Sequence, residues 1–367
     1  MQNKRRTLGI ITCNFSTKNK KPSFVEERFF KDLTSLGKKH NIEIFIFHPN
    51  KVFFAKNKAL GFKFVNGSWK ESLEKLPNFI YDRCHYKSLN HFQKYHKNIL
   101  KIRSHPFIKF LSKPLNGKLK TTEILKLNNK LQNFLIPTLE YKNTAEVLNF
   151  LKKNNNKIIL KPNNLSHGRG IIYVENSKDN TFILNIRTKE NLKASLTFNN
   201  KESFFKWLLS FIKNTKYIMQ PYLELHTRNN KEPFDVRVLL QKTSKENWQL
   251  TGKAIRLGQK DSITSNLHGG GKALNFENFL KENFTAQEIN TIAEKINTLI
   301  TNVPKHLEQN HGQLCELGID IGIDTKANVF LLEINSKPGR SIFLELDDYK
   351  TYLKSVKCPL LYLKSLL

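Results

Sequence analysis

Two apolar runs near the C-terminus, residues 317–324 and 331–340, constrain the fold of this chain more than any other stretch. The first reads Leu317-Gly318-Ile319-Asp320-Ile321-Gly322-Ile323-Asp324, a strand carrying a carboxylate on its minority face. The second, Leu331-Leu332-Glu333-Ile334-Asn335-Ser336-Lys337-Pro338-Gly339-Arg340, is a strand that ends in oxygen ligands, then a turn, then cations. Glu333 and Asn335 are two residues apart, so in extended chain both side chains leave the same face. If residues 325–328 form a four-residue hairpin loop, Asp324 faces Val329 and Asp320 lies opposite Glu333. Three oxygen donors then meet on one face, a set that suits a hard cation such as Mg²⁺ together with substrate phosphates. The plainer alternative is a half-exposed hairpin with ordinary surface carboxylates.

A second informative region is Lys157-Ile158-Ile159-Leu160-Lys161-Pro162-Asn163-Asn164-Leu165-Ser166-His167-Gly168-Arg169-Gly170-Ile171-Ile172-Tyr173-Val174. Two apolar strands flank a loop of small and polar residues. Ser166, Gly168 and Gly170 leave room for backbone N–H groups around phosphate oxygens, and Lys161 and Arg169 add positive charge. The glycine spacing is not that of a Walker loop, and an ordinary hairpin tip is the competing reading. Another glycine-rich loop follows at Ser265-Asn266-Leu267-His268-Gly269-Gly270-Gly271. Between the two loops, Lys216-Tyr217-Ile218-Met219 reads as a strand ending in Gln220-Pro221-Tyr222-Leu223-Glu224. A strand over residues 234–240 sets Asp235 and Arg237 on one face, and Arg256 ends another over 248–257. Thr285 and Glu288 form a capping box, and the helix they start carries Ile289, Ile292, Ile296 and Leu299 as scaffold.

The first hundred residues alternate strand and helix patterns. Strands are expected at 8–12, 42–47 (stopped by His48-Pro49) and 76–83, with a helix over 24–36 that ends at Gly37. This argues for an open α/β domain with a parallel sheet. Cys13-Asn14-Phe15-Ser16 after the first strand is no dinucleotide fingerprint. Residues 91–135 read as a basic helical connector, and 144–153 and 203–212 as helices.

Composition narrows the class. No apolar run approaches the roughly eighteen residues a membrane span needs, and the segment after the basic N-terminus is too short for a signal-peptide core. Four scattered cysteines, Cys13, Cys84, Cys315 and Cys358, show no paired spacing, which argues against a disulfide framework or zinc site and fits a reducing cytosol. The net charge of +30 is spread along the chain rather than gathered in a tail, so it reads as solvated lysine more than a nucleic-acid footprint.

In their order along the chain these elements resemble the ATP-grasp superfamily, and within it the YheC/YheD proteins associated with endospore coats. The motifs are Lys161-Pro162 with its loop, Gln220-Pro221-Tyr222-Leu223, Asp235-x-Arg237, the loop around Asn266, Gly318-Ile319-Asp320 and Glu333-Ile334-Asn335-Ser336-Lys337-Pro338-Gly339. Pro77-x-x-Ile80-Tyr81-Asp82-Arg83 is similar to the segment that ends that group's N-terminal domain.

The resemblance implies an α/β (α+β) architecture: an ATP-grasp fold with two subdomains, preceded by a Rossmann-like pre-ATP-grasp domain. The expected division is 1–90 pre-ATP-grasp domain, 91–140 connector, 141–225 small subdomain and 226–367 large subdomain. It also implies site roles. Lys161, with Ser166, His167, Gly168, Arg169 and Gly170, would meet the nucleotide phosphates. A second lysine is expected from the connector, with Lys120 chosen over Lys118. Gln220, Pro221, Tyr222 and Leu223 would form the hinge that reads adenine, and Glu224 would reach the ribose. Asp320, Glu333 and Asn335 would hold Mg²⁺ (Mn²⁺ as the alternative), Arg237, Arg256 and Asn266 would serve catalysis, and Lys337 and Arg340 would contact substrate. His268 is a further phosphate candidate.

The implied reaction is ATP-dependent joining of a carboxylate to an amine or thiol through an acylphosphate. Substrates are unidentified, an anionic acceptor being the guess that the charge favours, and the setting is cytoplasmic, with a link to spore coat or envelope. The rival readings are a non-catalytic coat-associated protein of this fold and a basic nucleic-acid binder.

Overall fold

Alternating faces of three sheets organise the molecule. The computed structural model describes residues 6–18, 21–86, 88–164, 168–177, 179–188, 190, 192–260, 262 and 270–367. The N-terminal part comprises β1 (Arg6–Ile11), β2 (Phe15–Lys18), β3 (Lys21–Phe24), α1 (Glu27–Lys39), β4 (Ile42–Phe53), β5 (Lys58–Val65), β6 (Ser68–Lys75), β7 (Phe79–Asp82), α2 (Leu89–Arg103) and β8 (Lys109–Phe110). Its main sheet runs β6-β5-β4-β1-β7-β8. The pairs β4–β1, β1–β7 and β7–β8 are parallel, whereas β5 and β6 are added antiparallel. The expected parallel sheet is therefore mixed. Its extra hairpin turns at Asn66 and Gly67, both with positive φ (50° and 77°), the two-residue turn that Asn-Gly favours.

Two local stops expected from sequence do not operate. β4 continues through His48-Pro49 because its pairing with β5 is interrupted between Phe47 and Val52, where no ladder N–H is asked of the proline. Gly37 lies inside α1 rather than beyond it. A Cβ there would sit 2.7 Å from the Ile42 carbonyl oxygen, so close helix–strand packing is what requires the glycine.

After α3 (Lys118–Lys126) and α4 (Asn129–Gln132) comes β9 (Leu139–Glu140), then α5 (Thr144–Lys153), β10 (Lys157–Pro162), β11 (Ile172–Asn176), β12 (Phe182–Arg187), β13 (Lys193–Phe198), α6 (Lys201–Ile212) and β14 (Tyr217–Pro221). These strands form an antiparallel sheet in the order β13-β12-β11-β10-β14-β9. Val147 and Leu151 of α5 and Phe204 and Leu208 of α6 share one apolar core with Ile158, Leu160 and Met219.

The third sheet contains β15 (Phe234–Lys242), β16 (Trp248–Leu257) and β17 (Lys272–Leu274). After α7 (Phe276–Asn283) and α8 (Ala286–His311) it is completed by β18 (Glu316–Ile323) and β19 (Val329–Asn335), followed by α9 (Ser341–Glu345) and α10 (Tyr349–Leu366). The order is β17-β16-β15-β18-β19, antiparallel throughout. Both halves of the Thr285–Glu288 capping box are formed at the start of α8. Val236, Val238, Leu240, Ile319 and Ile321 pack with Ile292, Ile296 and Leu299 of α8. Because strand side chains alternate, the opposite face carries Asp235, Arg237, Glu316, Gly318 and Asp320. On that side Leu239 and Ala254 join a core that runs through Val356 and Leu360 of α10 to Leu8, Ile10 and Phe30, binding the N-terminal sheet to the third one.

The β18–β19 hairpin reaches the expected pairing by an unexpected route. Ile323, not Asp324, lies opposite Val329, so the loop holds five residues. Asp324 closes that loop by accepting from the backbone N–H groups of Lys326 (2.9 Å) and Asn328 (2.8 Å). The register then slips by one residue at Leu332, and Asp320 faces Glu333 after all. The bulge has a purpose legible in side chains. Leu331 must face the α8 core while Glu333 faces away, and two residues that far apart share a face unless one extra is inserted.

Candidate functional site

The polar face of β15, β16 and β18 builds a chain of paired charges. Arg237 lies directly opposite Asp320 and donates to it from Nε (2.6 Å) and Nη2 (3.1 Å). Arg256 grips its cross-strand partner Asp235 with two bonds of 2.6 and 2.7 Å and reaches Asp320 at 2.9 Å. Burial opposes ionisation of Asp320, but the Arg237 and Arg256 guanidiniums prevail and hold its carboxyl below the usual range.

A cleft of about 1570 Å³ opens over this face, walled by the second and third sheets and by the segment that joins β7 to α2. Lys161, near the end of β10, lines it and donates no hydrogen bond to a described residue. Burial drives the Lys161 amine down to about 8, against the attraction of Glu333 and with repulsion from Lys118 adding to the shift. Lys118, the first residue of α3, places Nζ 3.4 Å from Glu333 Oε1. Lys120, the connector lysine chosen from sequence, does not line the cleft. It is exposed and paired with Glu123 at 3.2 Å. Two residues turn a helix by about 200°, so Lys118 and Lys120 cannot face the same side, and Lys118 takes the position.

The stretch from Gln220 to Glu224 forms one edge of the cleft. Gln220 Nε2 donates to Thr138 Oγ1 at 2.8 Å, while its buried Oε1 has no partner among the described residues. The Tyr222 N–H is spent on the Lys157 carbonyl (3.1 Å), and the Tyr222 ring meets Tyr173 edge-on at 4.7 Å. Leu223 and Glu224 donate to no backbone carbonyl among the described residues, so their N–H groups remain for a ligand. Gly168 and Arg169 also line the cleft, and Arg169 Nε is buried without a partner among the described residues. Gly170 does not face the cleft as expected. With φ of 72° its carbonyl accepts from Tyr217 Oη at 2.9 Å, folding the loop back onto β14. Ser166, His167, Asn266 and His268 lie outside the described residues.

The two cations after Asn335 do not serve as free substrate contacts. Lys337 lines the cleft but donates to Asp82 Oδ1 (2.7 Å) and the Cys84 carbonyl (2.8 Å). Arg340 is buried, held by Glu316, by Tyr81 Oη at 2.8 Å and by the Pro338 carbonyl. It belongs to a sealed network that sequence reasoning missed. Glu316 also accepts from Tyr81, from Arg83 Nη1 (3.0 Å) and from Gln241 Nε2 (3.1 Å), and Arg83 in turn pairs with Glu26. A signal was present: Glu316 and Asp320 are four residues apart on one strand and so share a face. Lys157, Tyr173 and Glu175 are further cleft residues that no motif marked.

Asp320, Glu333 and Asn335 fit a hard cation by chemistry. All three offer oxygen, and Asn335 lies opposite Gly318, where close packing of Pro338, 2.8 Å from the place of a Cβ, requires the glycine. Among the described residues no three His, Cys, Asp or Glu groups converge, so Asn335 and phosphate oxygens would have to complete any shell. Asp320 already accepts from two guanidiniums, which leaves Glu333 and Asn335 with the greater spare capacity.

Residues 107–366 match the YheC/D-like ATP-grasp family, and the chain belongs to it. It is 29% identical to the endospore coat-associated protein YheC of Bacillus subtilis, over 83% of this chain and 82% of that protein. YheD of the same organism is 24% identical, over 92% of this chain and 73% of its own length. Among solved structures, D-cycloserine synthetase DcsG superposes with a TM-score of 0.55 at 10% identity, covering 97% of this chain and 99% of that one. N5-carboxyaminoimidazole synthetase from Staphylococcus aureus gives 0.51 at 10% identity, covering 97% and 77%. Likenesses at such identity speak to the fold, which is ATP-grasp. Among the described residues no helix is long and apolar enough to cross a membrane.

Proposed function

We propose that the chain is an ATP- and Mg²⁺-dependent ligase that joins a carboxylate to an amine or thiol. The observation that carries this reading is the meeting of Lys118, Lys161 and Glu333, from three separate elements, in one cleft where Lys161 donates no hydrogen bond to a described residue. A half-buried amine driven down to about 8 is poised for an anion, and phosphate would favour its charged form. Lys118, Lys161 and Arg169 hold the phosphates. The free N–H groups of Leu223 and Glu224 serve the base and ribose end. Asp320, Glu333 and Asn335 would hold Mg²⁺, which when bound neutralises and aligns phosphate oxygens. Arg256 is locked between Asp235 and Asp320 and so positions. Arg237, less buried, is the guanidinium left to meet charge developing on the transferred group. The segment after β7 and the start of α2 line another part of the cleft, which we assign to the second substrate. The working domain map is 1–90, 91–140, 141–225 and 226–367, with β8 of the second stretch pairing with β7 of the first and β9 with β14 of the third.

The names of the relatives, endospore coat-associated proteins, support a link to the spore coat, and the chain's own place in this reading is the cytoplasm. One observation favours a second reading, a nucleotide-binding coat component without turnover: both oxygens of Asp320 are already engaged by arginine. ADP release measured over a panel of carboxylates paired with amines and thiols, followed by product mass, separates the two. A product whose mass equals both substrates less water supports the ligase. Nucleotide binding with no ADP from any pair favours the second reading.

A further inference from the structure

Cysteines that are far apart in sequence meet where the N-terminal sheet borders the cleft. β1 and β7 run parallel with Leu8 opposite Phe79 and Ile11 opposite Asp82, and the Arg83 N–H donates to the Ile11 carbonyl at 2.9 Å. Carried two residues further, this register sets Cys13 beside Cys84. Asn14 fastens the two segments beyond the sheet: its Nδ2 donates to the His85 carbonyl and its Oδ1 accepts from the His85 N–H, both at 2.8 Å. Adjacent strands lie about 4.8 Å apart, within the roughly 4.4–6.8 Å that separates Cα atoms joined by a disulfide. Both cysteines belong to one buried cluster; Cys13 Sγ donates to Asn14 Oδ1 (3.6 Å) and to the His85 carbonyl (3.8 Å), and hydrogen bonding with the neighbouring Cys84 thiol lowers the Cys13 thiol.

We propose that Cys13 and Cys84 are a redox pair that a peroxide converts into an intramolecular disulfide in the wall of the cleft. Cys84 lines the cleft, and Cys13 beside it is 7% exposed, which gives a small oxidant access, whereas Cys315 and Cys358 are each 1% exposed and do not line it. Hydrogen bonding with Cys84 lowers the Cys13 thiol against the effect of burial, with help from the Lys337 ammonium, while burial pushes Cys84 up. Cys13 is therefore the attacking sulfur. Its thiolate takes one peroxide oxygen, the O–O bond breaks, and a hydroxyl leaves as water after gaining a proton. The Cys84 sulfur then attacks the resulting Cys13 sulfenic acid, the S–O bond breaks, and a second water leaves with the Cys84 proton. Two sulfurs are oxidised and two peroxide oxygens reduced.

The test treats the folded full chain with hydrogen peroxide, alkylates free thiols, and maps peptides by mass without reductant. The expected result is a monomer lighter by two hydrogens that has lost two of its four thiols, with Cys13 and Cys84 peptides joined. Cys84→Ser should stop at a Cys13 sulfenic acid that dimedone traps, and Cys13→Ser should yield neither product. Cys84→Ala stands beside Cys84→Ser, and the wild-type peptide map decides the pairing even if either variant unfolds. Retention of all four thiols, a link through Cys315 or Cys358, or a disulfide between two chains overturns the proposal.

Discussion

Glu316 and Asp320 stand on the same face of β18, four residues apart, yet they do opposite things with charge. Around Glu316 every group is answered. Arg83 and Arg340 are buried, Glu26 and Glu316 face them, and Tyr81 and Gln241 complete the bonding. Around Asp320 the pairing frays toward the cleft. Arg237 and Arg256 are matched, Lys118 stands 3.4 Å from Glu333, and Lys161 is left with no hydrogen bond to a described residue. The sealed end ties the N-terminal sheet to the third sheet. The open end keeps positive charge that only a bound anion would compensate. One strand thus supplies both the joint of the molecule and its candidate site.

Breaking the sealed end should cost most. Glu316→Ala leaves the buried Arg340 guanidinium without its carboxylate and Arg83 with Glu26 alone, and removal of one partner of a buried pair costs about 3–5 kcal/mol. Denaturant unfolding followed by fluorescence should show that loss, with nucleotide binding kept at temperatures where the variant remains folded. At the open end Lys161→Met should leave folding stability unchanged or slightly raised, because burying the amine is already unfavourable. ADP formation should fall by roughly 10²–10³, the usual effect of deleting one group that stabilises developing charge.

A smaller effect sharpens the contrast through pH. The Lys161 amine titrates at about 8 in the folded chain against an ordinary 10.5, so between those values the folded state binds fewer protons than the unfolded one. Its contribution to folding stability therefore rises with pH across that window, while nucleotide affinity, which needs the charged amine, falls as pH passes about 8. Calorimetric titrations in buffers of differing ionisation heat should also register proton uptake on binding near that pH. Least of all should Lys120→Ala matter. Its exposed pair with Glu123 is worth no more than about 0.5 kcal/mol, and nucleotide binding should not change.

The same contrast explains what could be read in advance. The open end was legible because ligand spacing along a strand is local: Glu333 and Asn335 share a face whatever lies elsewhere, and Asp320 was paired correctly with Glu333. That pairing rested on a four-residue loop, whereas the molecule uses five residues and a bulge at Leu332 whose shifts cancel. The apolar spacing Val329, Leu331, Ile334 carries that bulge in the sequence. Lys118 and Lys120 could not be ranked without knowing that α3 begins at Lys118, since helix phase decides which lysine faces inward. At the sealed end the place of Glu316 on the face of Asp320 was legible, but its partners were not. Arg340 looked like a substrate cation because its partners, Tyr81 and Glu316, come from distant segments. The contact of Cys13 with Cys84 is hidden for the same reason, since only the β1–β7 register brings them together.

The most direct measurement is the thermal unfolding of the wild-type chain and of Glu333→Gln with and without saturating Mg²⁺-ATP. A ligand that binds only the folded state at a hundred times its dissociation constant adds about 2.7 kcal/mol. The wild type should melt several degrees higher with Mg²⁺-ATP, and Glu333→Gln, with the same melting temperature in buffer alone, should lose most of that rise. An unchanged wild-type melting temperature at saturating Mg²⁺-ATP would contradict the assignment of the open end of β18 as a nucleotide site.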